Sequence, residues 1–280
     1  MVVFAGQGDA RRSMALLWRV AKPEGARTAP GPKPGLSVDV IVDAAIAVAD
    51  EQGMAALSMR AVGERLGRTA MALYTYVPSK SELVDLMYDR VLAELPADYG
   101  RAAGWRAAVT AWADDVWAFY LRHPWVLQVS QARPVLGPNE YVMLETVLRI
   151  LHGAGLEAGT VRRVVGTLFH FVRGAAQTIA EARQAPAATG VSDEDWWFAR
   201  AALLQEVAPD FAGRFPMVAA FESAWARRRD DEDEDRDESV PYLEREAKET
   251  FRIGLTVILD GIEAARDRAG AAPEVGAGGR

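Results

Sequence analysis

The stretch LSMRAVGERLGRTAMALYTYVPSKSELVDLM (residues 57–87) decides the fold. A serine or threonine, whose side-chain oxygen can cap a helix, precedes each of three segments with helical apolar spacing. Gly67 and Pro78 separate these segments, because glycine readily adopts the left-handed end of a helix and proline disfavours a helical residue before it. The stretch therefore predicts three helices, over 58–66, 69–76 and 79 to about 95.

One more helix precedes this stretch. Apolar residues recur at helical spacing from Ile41 to Ala49. Ser37 can cap this helix, and Gly53 can end it. A short helix, a glycine turn and a second short helix then form a shape that can place the second helix, 69–76, in the major groove of DNA. Geometry alone leaves DNA binding and an ordinary helical hairpin as equal alternatives.

The composition is that of a globular protein. The chain has 280 residues, half of them hydrophobic, which is enough for a sizeable core in one large or two modest domains. No apolar run approaches the roughly 20 residues that cross a bilayer, and residues 14–18 are too short a stretch for a secretory signal. We therefore expect the protein in the cytoplasm. The chain has no cysteine, which excludes disulfides and thiolate chemistry.

The net charge of −7 is unevenly distributed. Residues 1–95 contain 11 of the 32 basic and 11 of the 39 acidic residues, so the acidity lies in the remainder of the chain. A neutral first third permits DNA binding without demonstrating it. The prolines and glycines of PGPKPG (30–35) prevent a helix, so we expect residues 1–35 to be a flexible arm. Arg27 or Lys33 could insert into a minor groove, or the arm could be a disordered extension.

The rest of the chain predicts an all-α fold, because helical periodicity continues and strand signals are absent. The predicted helices cover 105–121, a short piece after Pro124, 139–152, 160–183, 193–206 and 242–266. The mostly acidic residues 230–240 lack the ligand spacing of a calcium loop, so they predict a solvated loop. We assign 36–82 to an N-terminal three-helix helix-turn-helix domain, 83–268 to a C-terminal helical domain, and 269–280 to a disordered tail.

Residues 57–87 resemble the DNA-binding signature of the TetR family of transcriptional regulators. The shared features are a glycine turn at Gly67, the pattern L-Y-x-[HY]-[VF] at 73–77, and a lysine, Lys80, that opens the next helix. The match begins at Leu36. The resemblance implies a ligand-responsive transcriptional regulator that acts as a repressor, released from a palindromic operator by a small-molecule effector.

The resemblance also implies which side chains contact double-stranded DNA. Those expected to read bases are Arg60, Ala70, Met71 and Tyr74, with Thr69 on the same exposed face, and those expected to hold phosphates are Ser58, Tyr76 and Lys80. The Arg60 guanidinium can donate two hydrogen bonds to a guanine edge, whereas phosphate contacts position the protein without reading sequence. The alternatives are an ordinary surface arginine at Arg60 and partial burial of Tyr74 against the first helix.

Two later stretches resemble the C-terminal domain of the tetracycline repressor: LFHFVRG (168–174) and FRIGLTVILDGIE (251–263). The second has a wide apolar face, and its small Gly254 and Gly261 admit close approach of another helix. The resemblance implies that helices 160–183 and 242–266 pair with their symmetry mates in a four-helix bundle, giving a homodimer. The alternative is a core helix within one chain. The residues of this face are Phe251, Leu255, Ile258, Leu259 and Ile262.

The same resemblance implies an effector pocket in the C-terminal domain, which would then serve both ligand binding and dimerisation. Its expected lining is Trp112, Val116, Phe119, His123, Arg133, Phe169, His170, Arg173 and Gln177. Trp112 and Phe119 could equally be plain core, and His170 an ordinary core histidine. The residues before Arg133 are VSQA (129–132), without the histidine that serves the metal site of the tetracycline repressor, which argues against tetracycline. The aromatic lining indicates a bulkier, flatter or more apolar effector.

An enzyme is not indicated. The three histidines show no metal-binding spacing such as H-E-x-x-H, and the chain has no glycine-rich phosphate loop or nucleophile elbow. We therefore predict no catalytic activity, no cofactor and no metal. A protein-interaction module that has lost DNA binding is a third class, against which the intact DNA-contact residues argue.

Overall fold

The computed structural model describes residues 3–19, 35–100, 104–231 and 242–271. In chain order its elements are β1 (Val3–Phe4), α1 (Ala10–Leu17), α2 (Val38–Gln52), α3 (Met59–Leu66), α4 (Ala70–Tyr74), α5 (Lys80–Leu92), α6 (Gly104–Arg122), a 3-10 helix (Pro124–Gln128), β2 (Val129–Ser130), α7 (Pro138–His152), α8 (Ala158–Thr189), α9 (Asp193–Val207), α10 (Phe211–Arg214), α11 (Pro216–Asp231) and α12 (Tyr242–Ala271). The predicted all-α fold is confirmed. None of the described helices is long and apolar enough to cross a membrane.

The chain forms two compact units. The first contains the described residues up to Gln177 and those from Gly254 onward. The second contains Thr178–Ile253.

In the first unit, α2, α3 and α4 form the head that the sequence predicts. A side-chain oxygen at the start of each helix accepts a hydrogen bond from a backbone N–H of the first turn. Gly67 ends α3 in the left-handed conformation, with a φ of 63°. The helix α4 ends at Tyr74, two residues before the prediction, because the Leu73 carbonyl accepts from both the Tyr76 and the Val77 N–H in a closing turn. The three capping residues are Ser37, Ser58 and Thr69.

Close packing at the turn of the head depends on a glycine that carries no special signal in the sequence. A Cβ on Gly63 of α3 would lie 2.6 Å from the Arg68 carbonyl oxygen and 3.4 Å from the Ala70 nitrogen. The Arg68 N–H also donates to the Gly63 carbonyl at 2.8 Å. Because backbone atoms cannot rotate out of the way, only glycine lets α4 begin directly against α3.

The helix α5 joins the head to the core of the first unit. Ser79 caps it and accepts from the Ser81 N–H at 3.1 Å, and the Ser79 hydroxyl also contacts the Glu82 carboxylate. α5 packs against α2 in the head and against α7 in the core. It ends at Leu92, slightly before the predicted end.

The C-terminal helix α12 contributes to the core of the same chain. Leu255, Leu259 and Ile262 are buried. A Cβ on Gly254 would lie 2.7 Å from the Phe171 ring of α8, which shows how closely the two helices approach. These three side chains are used within the chain, whereas Ile253 and Val257 of α12 stay exposed, so the homodimer through these helices stays a prediction.

Residues 3–19 correct the expectation of a flexible arm. The strand β1 pairs in parallel with β2, with Val3 opposite Val129, and α1 packs against α5. Strands of two residues, paired between such distant parts of the chain, leave no periodic signal in the sequence. The candidates for minor-groove insertion, Arg27 and Lys33, lie outside the described residues.

The second unit contains two helices that the sequence did not predict, α10 and α11. Proline at the first position of α11 is compatible with a helix, since its missing N–H would have no partner there. α11 continues to Asp231, so the first two residues of the predicted acidic loop are helical, and 232–241 lie outside the described residues.

Two long helices also extend further than predicted. α8 continues past Arg183 to Thr189. α12 continues to Ala271, into the predicted tail. The alanines of this stretch favour a helix, and Pro273, two residues later in the sequence, disfavours a helical residue before it. Residues 272–280 lie outside the described residues.

Candidate functional site

The helix α4 presents an exposed surface on a buried support. Met71 is 74% exposed and Tyr74 40% exposed, whereas Leu73 and Val77 are fully buried. Solvent-exposed apolar and aromatic side chains on a helix whose other side is buried are suited to contact base edges and thymine methyl groups. The side chains of this helix that the sequence assigns to base reading are exposed or half-buried: Thr69, Ala70, Met71 and Tyr74.

Arg60 lies at the start of α3, where its side chain is 86% exposed. Its Nε donates to Glu64 Oε1 at 2.7 Å, and this hydrogen bond raises the pKa of Arg60. An ion pair surrounded by water contributes little, so a nucleic acid can displace Glu64. Arg65 differs, because both of its terminal nitrogens donate to Glu51 of α2 at 2.7 Å.

The residues expected to hold phosphates lie at the beginnings of helices or beside them. Ser58 is exposed and caps α3, and Lys80 is the exposed first residue of α5. Tyr76 is half-buried in the turn after α4. The partial positive charge of a helix N-terminus favours an anion at such positions.

Three carboxylates are buried along α5, namely Glu82, Asp85 and Asp89. Burial raises the pKa of Asp85 to about 6, although the Gly6 N–H, which donates to it at 3.0 Å, opposes the shift. Burial also raises the pKa of Asp89, which accepts from the Glu140 N–H at 3.0 Å. α5 is therefore held by polar contacts to the N-terminal residues and to the start of α7.

His123, an expected effector contact, instead connects the head to the core. Its Nδ1 lies 2.8 Å from Asp50 Oδ1 in α2, and its Nε2 lies 3.1 Å from Glu94 Oε2. The Trp125 indole N–H donates to the same Asp50 oxygen at 2.8 Å. Burial lowers the pKa of His123, but its two carboxylate partners outweigh burial and the pKa is raised. Both ring nitrogens thus have protein partners within the chain, and the assignment of His123 to the effector pocket stays a prediction.

Aromatic side chains from α6 and α8 form a cluster in which the α6 residues are buried and Phe169 of α8 is half-buried. Trp112 is 1% exposed, and its ring meets the Phe169 ring edge to face, with centroids 5.1 Å apart. Val116 and Phe119 are buried one and two turns further along α6. The Trp112 indole N–H is buried and has no hydrogen-bond partner among the described residues. An unpaired buried donor costs about 1–3 kcal/mol, so this cluster would favour a ligand that brings a hydrogen-bond acceptor.

A polar cluster includes two residues that the sequence did not single out, Tyr120 and Gln131. The Gln131 amide donates to the Tyr120 hydroxyl at 3.4 Å. Arg173 of α8 lies over the Tyr120 ring, 6.0 Å from its centroid, and donates to the carbonyls of Leu127 at 2.5 Å and Val129 at 3.0 Å. Their positions in the sequence could have identified them, since Tyr120 follows Phe119 directly and Gln131 is part of the VSQA segment.

The other expected effector residues, Arg133, His170 and Gln177, have exposed side chains. A single chain therefore leaves them at its surface, in contrast to the buried Trp112. Among the described residues, no three histidine, aspartate or glutamate side chains come close enough together to hold a metal ion.

A short exposed helix on a buried support, after a glycine turn and ahead of a helical core, is the geometry of a helix-turn-helix protein. Comparison with known families identifies which one. Residues 41–87 match the family of bacterial regulatory proteins called tetR, and residues 100–266 match the tetracyclin repressor-like C-terminal domain. The chain belongs to the TetR family: it is a DNA-binding transcriptional regulator of the ligand-responsive type and not an enzyme.

Individual relatives agree with this assignment. The chain is 39% identical over 261 residues to the HTH-type transcriptional repressor DrrR1 of Streptomyces coeruleorubidus, covering 92% of this chain and 87% of that protein. An HTH-type transcriptional regulator of Saccharopolyspora erythraea is 32% identical over 142 residues, 51% of this chain and 60% of its own length.

Solved structures show the same fold. ActR of Streptomyces coelicolor in complex with actinorhodin superposes with a TM-score of 0.62 at 24% identity, covering 84% of this chain and 99% of that one. ActR without ligand gives a TM-score of 0.61 at 23% identity, covering 85% of this chain and all of that one.

Proposed function

We propose that the protein is a repressor that binds a palindromic operator as a homodimer, and that a small-molecule effector between the core helices releases it. The exposed surface of α4 on its buried support carries this proposal, because it suits a helix that enters the major groove. The name of DrrR1, a transcriptional repressor, supports repression as the output. We place this activity in the cytoplasm, where the protein would meet its operator.

The proposed DNA contacts divide into two kinds. Arg60 on α3 reads a guanine, and the exposed side chains of α4 contact neighbouring bases and thymine methyl groups. Phosphate contacts fix the register of the protein on the duplex. Glu64, the ion-pair partner of Arg60, is itself 64% exposed, so the free-energy cost of moving the guanidinium from Glu64 to DNA is small. The base-reading residues are Arg60, Thr69, Ala70, Met71 and Tyr74, and the phosphate contacts are Ser58, Tyr76 and Lys80.

Exposed apolar side chains support the homodimer. On α12, Ile253 and Val257 lie one turn apart and are 57% and 65% exposed. In the second unit, large apolar side chains of α9 and α11 are also exposed: Trp196, Trp197, Phe198, Leu203, Leu204, Val207, Met217, Val218, Phe221 and Trp225. Large apolar side chains exposed in such number along single helices are typical of protein interaction surfaces. We propose that the helices 160–183 and 242–266 form the centre of the interface, using the side of α12 that carries Ile253 and Val257.

The effector proposal rests on the aromatic cluster of α6 and α8. Trp112 and Phe169 offer flat apolar surfaces, and the unpaired Trp112 N–H offers one hydrogen-bond donor. ActR, which shares the fold, binds actinorhodin. We therefore propose a bulky, flat aromatic or apolar effector with a hydrogen-bond acceptor group. Tetracycline is a poor candidate, because the segment VSQA before Arg133 contains no histidine. The proposed lining keeps Val116, Phe119 and Arg173, with Arg133, His170 and Gln177 at its edge.

Release from DNA is proposed to proceed by a population shift. The two heads of a dimer must reach half-sites about one turn of DNA, 34 Å, apart. Effector binding would favour a conformation in which α5 is displaced and the heads no longer match this spacing. A displacement of a few Å per head suffices to lose register.

Selection of DNA from a random-sequence library by the full chain tests the proposed function. We expect enrichment of a palindrome with half-sites one helical turn apart, and sedimentation of the free protein as a dimer at micromolar concentration. Gel shifts on the chain's own upstream region should show the same binding. Enrichment of no sequence, or a monomer in sedimentation, would contradict the proposal.

A thermal-shift screen tests the effector. Planar polycyclic compounds, with actinorhodin as the first probe, should raise the melting temperature and weaken binding to the selected DNA. A screen in which planar compounds never stabilise the protein, while compounds of another shape do, would refute the proposed effector class.

A further inference from the structure

The N-terminal segment, defined as residues 3–19, contacts several parts of the first unit. At its beginning, β1 pairs with β2, with Val3 opposite Val129 and Phe4 opposite Ser130. Ala5, which follows the strand, is 1% exposed. Backbone pairing and burial together indicate a fixed position for the start of the segment.

The middle of the segment is bound to α5. The Gly6 N–H donates to both carboxylate oxygens of Asp85, at 3.0 and 3.2 Å. Gly8 lies so close to the Glu82 carboxylate that a Cβ at this position would overlap it. Asp85 is 2% exposed, so its hydrogen bond to Gly6 is protected from water. α1 then packs along the same helix.

The end of the segment contacts the start of the α7 region and the head. The Trp18 indole N–H donates to the Leu136 carbonyl at 3.0 Å. The Arg19 guanidinium forms an ion pair with Asp39 in the first turn of α2, with one of its hydrogen bonds at 3.1 Å. The N-terminal segment therefore reaches from β2, across α5, to a helix of the head.

The strand β2 connects these contacts to the polar cluster of the effector site. Arg173 donates to the Val129 carbonyl at 3.0 Å, and Val129 is the residue that pairs with Val3. A continuous series of contacts thus runs from Arg173 on α8, through β2 and β1, to Asp85 on α5.

We infer that the N-terminal segment is a positioning element that holds α5 and the head in the orientation that reads DNA, and that it acts inside the chain and not as a DNA-contacting arm. This inference rests on the proposed DNA binding. α5 cannot shift relative to β2 unless the Gly6–Asp85 hydrogen bonds or the β1–β2 pairing break. Movement of Arg173 on effector binding would reach α5 through the same contacts.

Two substitutions with equal charge change test this role. Ala5→Asp places a carboxylate at a buried position beside the Asp85 contact and should detach the segment. Gln7→Asp adds the same charge two residues away at an exposed position, and serves as the matched control. Trp18→Ala, which removes the exposed indole bond to Leu136, provides a milder variant that leaves the buried positions intact.

Hydrogen exchange of the free full-length protein gives the first readout, which needs no DNA. Amides in the first half of α5 and in α2 should exchange faster in Ala5→Asp, and to a smaller extent in Trp18→Ala, with α8 and the Gln7→Asp control unchanged. Unchanged protection of α5 in Ala5→Asp would overturn the inference, whether or not the protein binds DNA.

Binding to the DNA selected by the wild-type chain gives the second readout. If the released head adopts the reading orientation in about a tenth of molecules, affinity for the selected sequence falls about tenfold. The dependence of binding on salt should not change, because the phosphate contacts are the same. A reduced salt dependence, by about one unit for each lost phosphate contact, would identify a DNA-contacting arm and contradict the inference. Failure of the wild-type chain to bind any DNA would instead contradict the proposed function.

Discussion

The substitution Gly63→Ala offers a sharp test of how the head is built. The added methyl group would lie 2.6 Å from the Arg68 carbonyl oxygen and 3.4 Å from the Thr69 carbonyl carbon, so the start of α4 must move away from α3. Overpacking of this kind costs about 1–3 kcal/mol. Against this, alanine stabilises the helix by up to about 1 kcal/mol, because it favours a helix more than glycine does. We expect a net loss of about 1–2 kcal/mol in the free energy of unfolding, together with weaker specific DNA binding.

Urea denaturation followed by circular dichroism measures the stability, and gel shifts measure the binding. Gly213→Ala on α10, outside the proposed dimer interface, is the matched control, since a Cβ there meets no atom within 4 Å. The control should be neutral or more stable by up to about 1 kcal/mol. Equal stability and equal DNA binding of the two variants would refute the account of the turn.

Two further substitutions follow from the core contacts. In denaturation experiments, His123→Ala should cost about 1 kcal/mol more stability at pH 6 than at pH 9. The pKa of His123 is raised in the folded state, so its pairing with Asp50 and Glu94 stabilises the fold at low pH, and this contribution disappears as the pH rises through the folded-state pKa. A loss of stability independent of pH would contradict the pairing. Gly254→Ala should cost about 1–3 kcal/mol because its methyl group meets the Phe171 ring. Gly213→Ala on α10, where a Cβ meets no atom within 4 Å, is the control and should not destabilise; equal melting temperatures of the two variants would contradict the close approach of α12 to α8.

The head could be predicted from the sequence because its signals are local. Ser58, Thr69 and Gly67 act on the backbone within a few residues of their own positions, and the structure confirms each of them. The burial of Leu73 and Val77 follows from their spacing on a short helix. Local chemistry of this kind needs no knowledge of the rest of the chain.

The contacts that could not be predicted join distant parts of the chain. Gly6 and Asp85 are 79 residues apart, and His123 and Asp50 are 73 residues apart. Neither pair has a sequence pattern that links its members. A flexible arm was therefore predicted from the local sequence, and the tertiary contacts of residues 3–19 show this prediction to be wrong for them.

The aromatic cluster of the proposed effector site was only partly predictable. The aromatic character of Trp112 and Phe169 indicates burial but does not separate a pocket wall from plain core. The unpaired Trp112 N–H, which is visible only in the structure, supplies the argument for a ligand.

The central claim is that the exposed surface of α3 and α4 reads DNA sequence, and the base preference of Arg60→Ala tests it most directly. Binding of wild-type and variant protein to the selected operator, to its single-base-pair variants and to random DNA should be measured at one salt concentration. Arg65→Ala, on the same helix but paired with Glu51, is the control and should keep the wild-type preference. The account predicts that Arg60→Ala loses about 1–3 kcal/mol of operator binding and its preference at one base pair, while binding to random DNA changes little. An equal loss on operator and random DNA would contradict it.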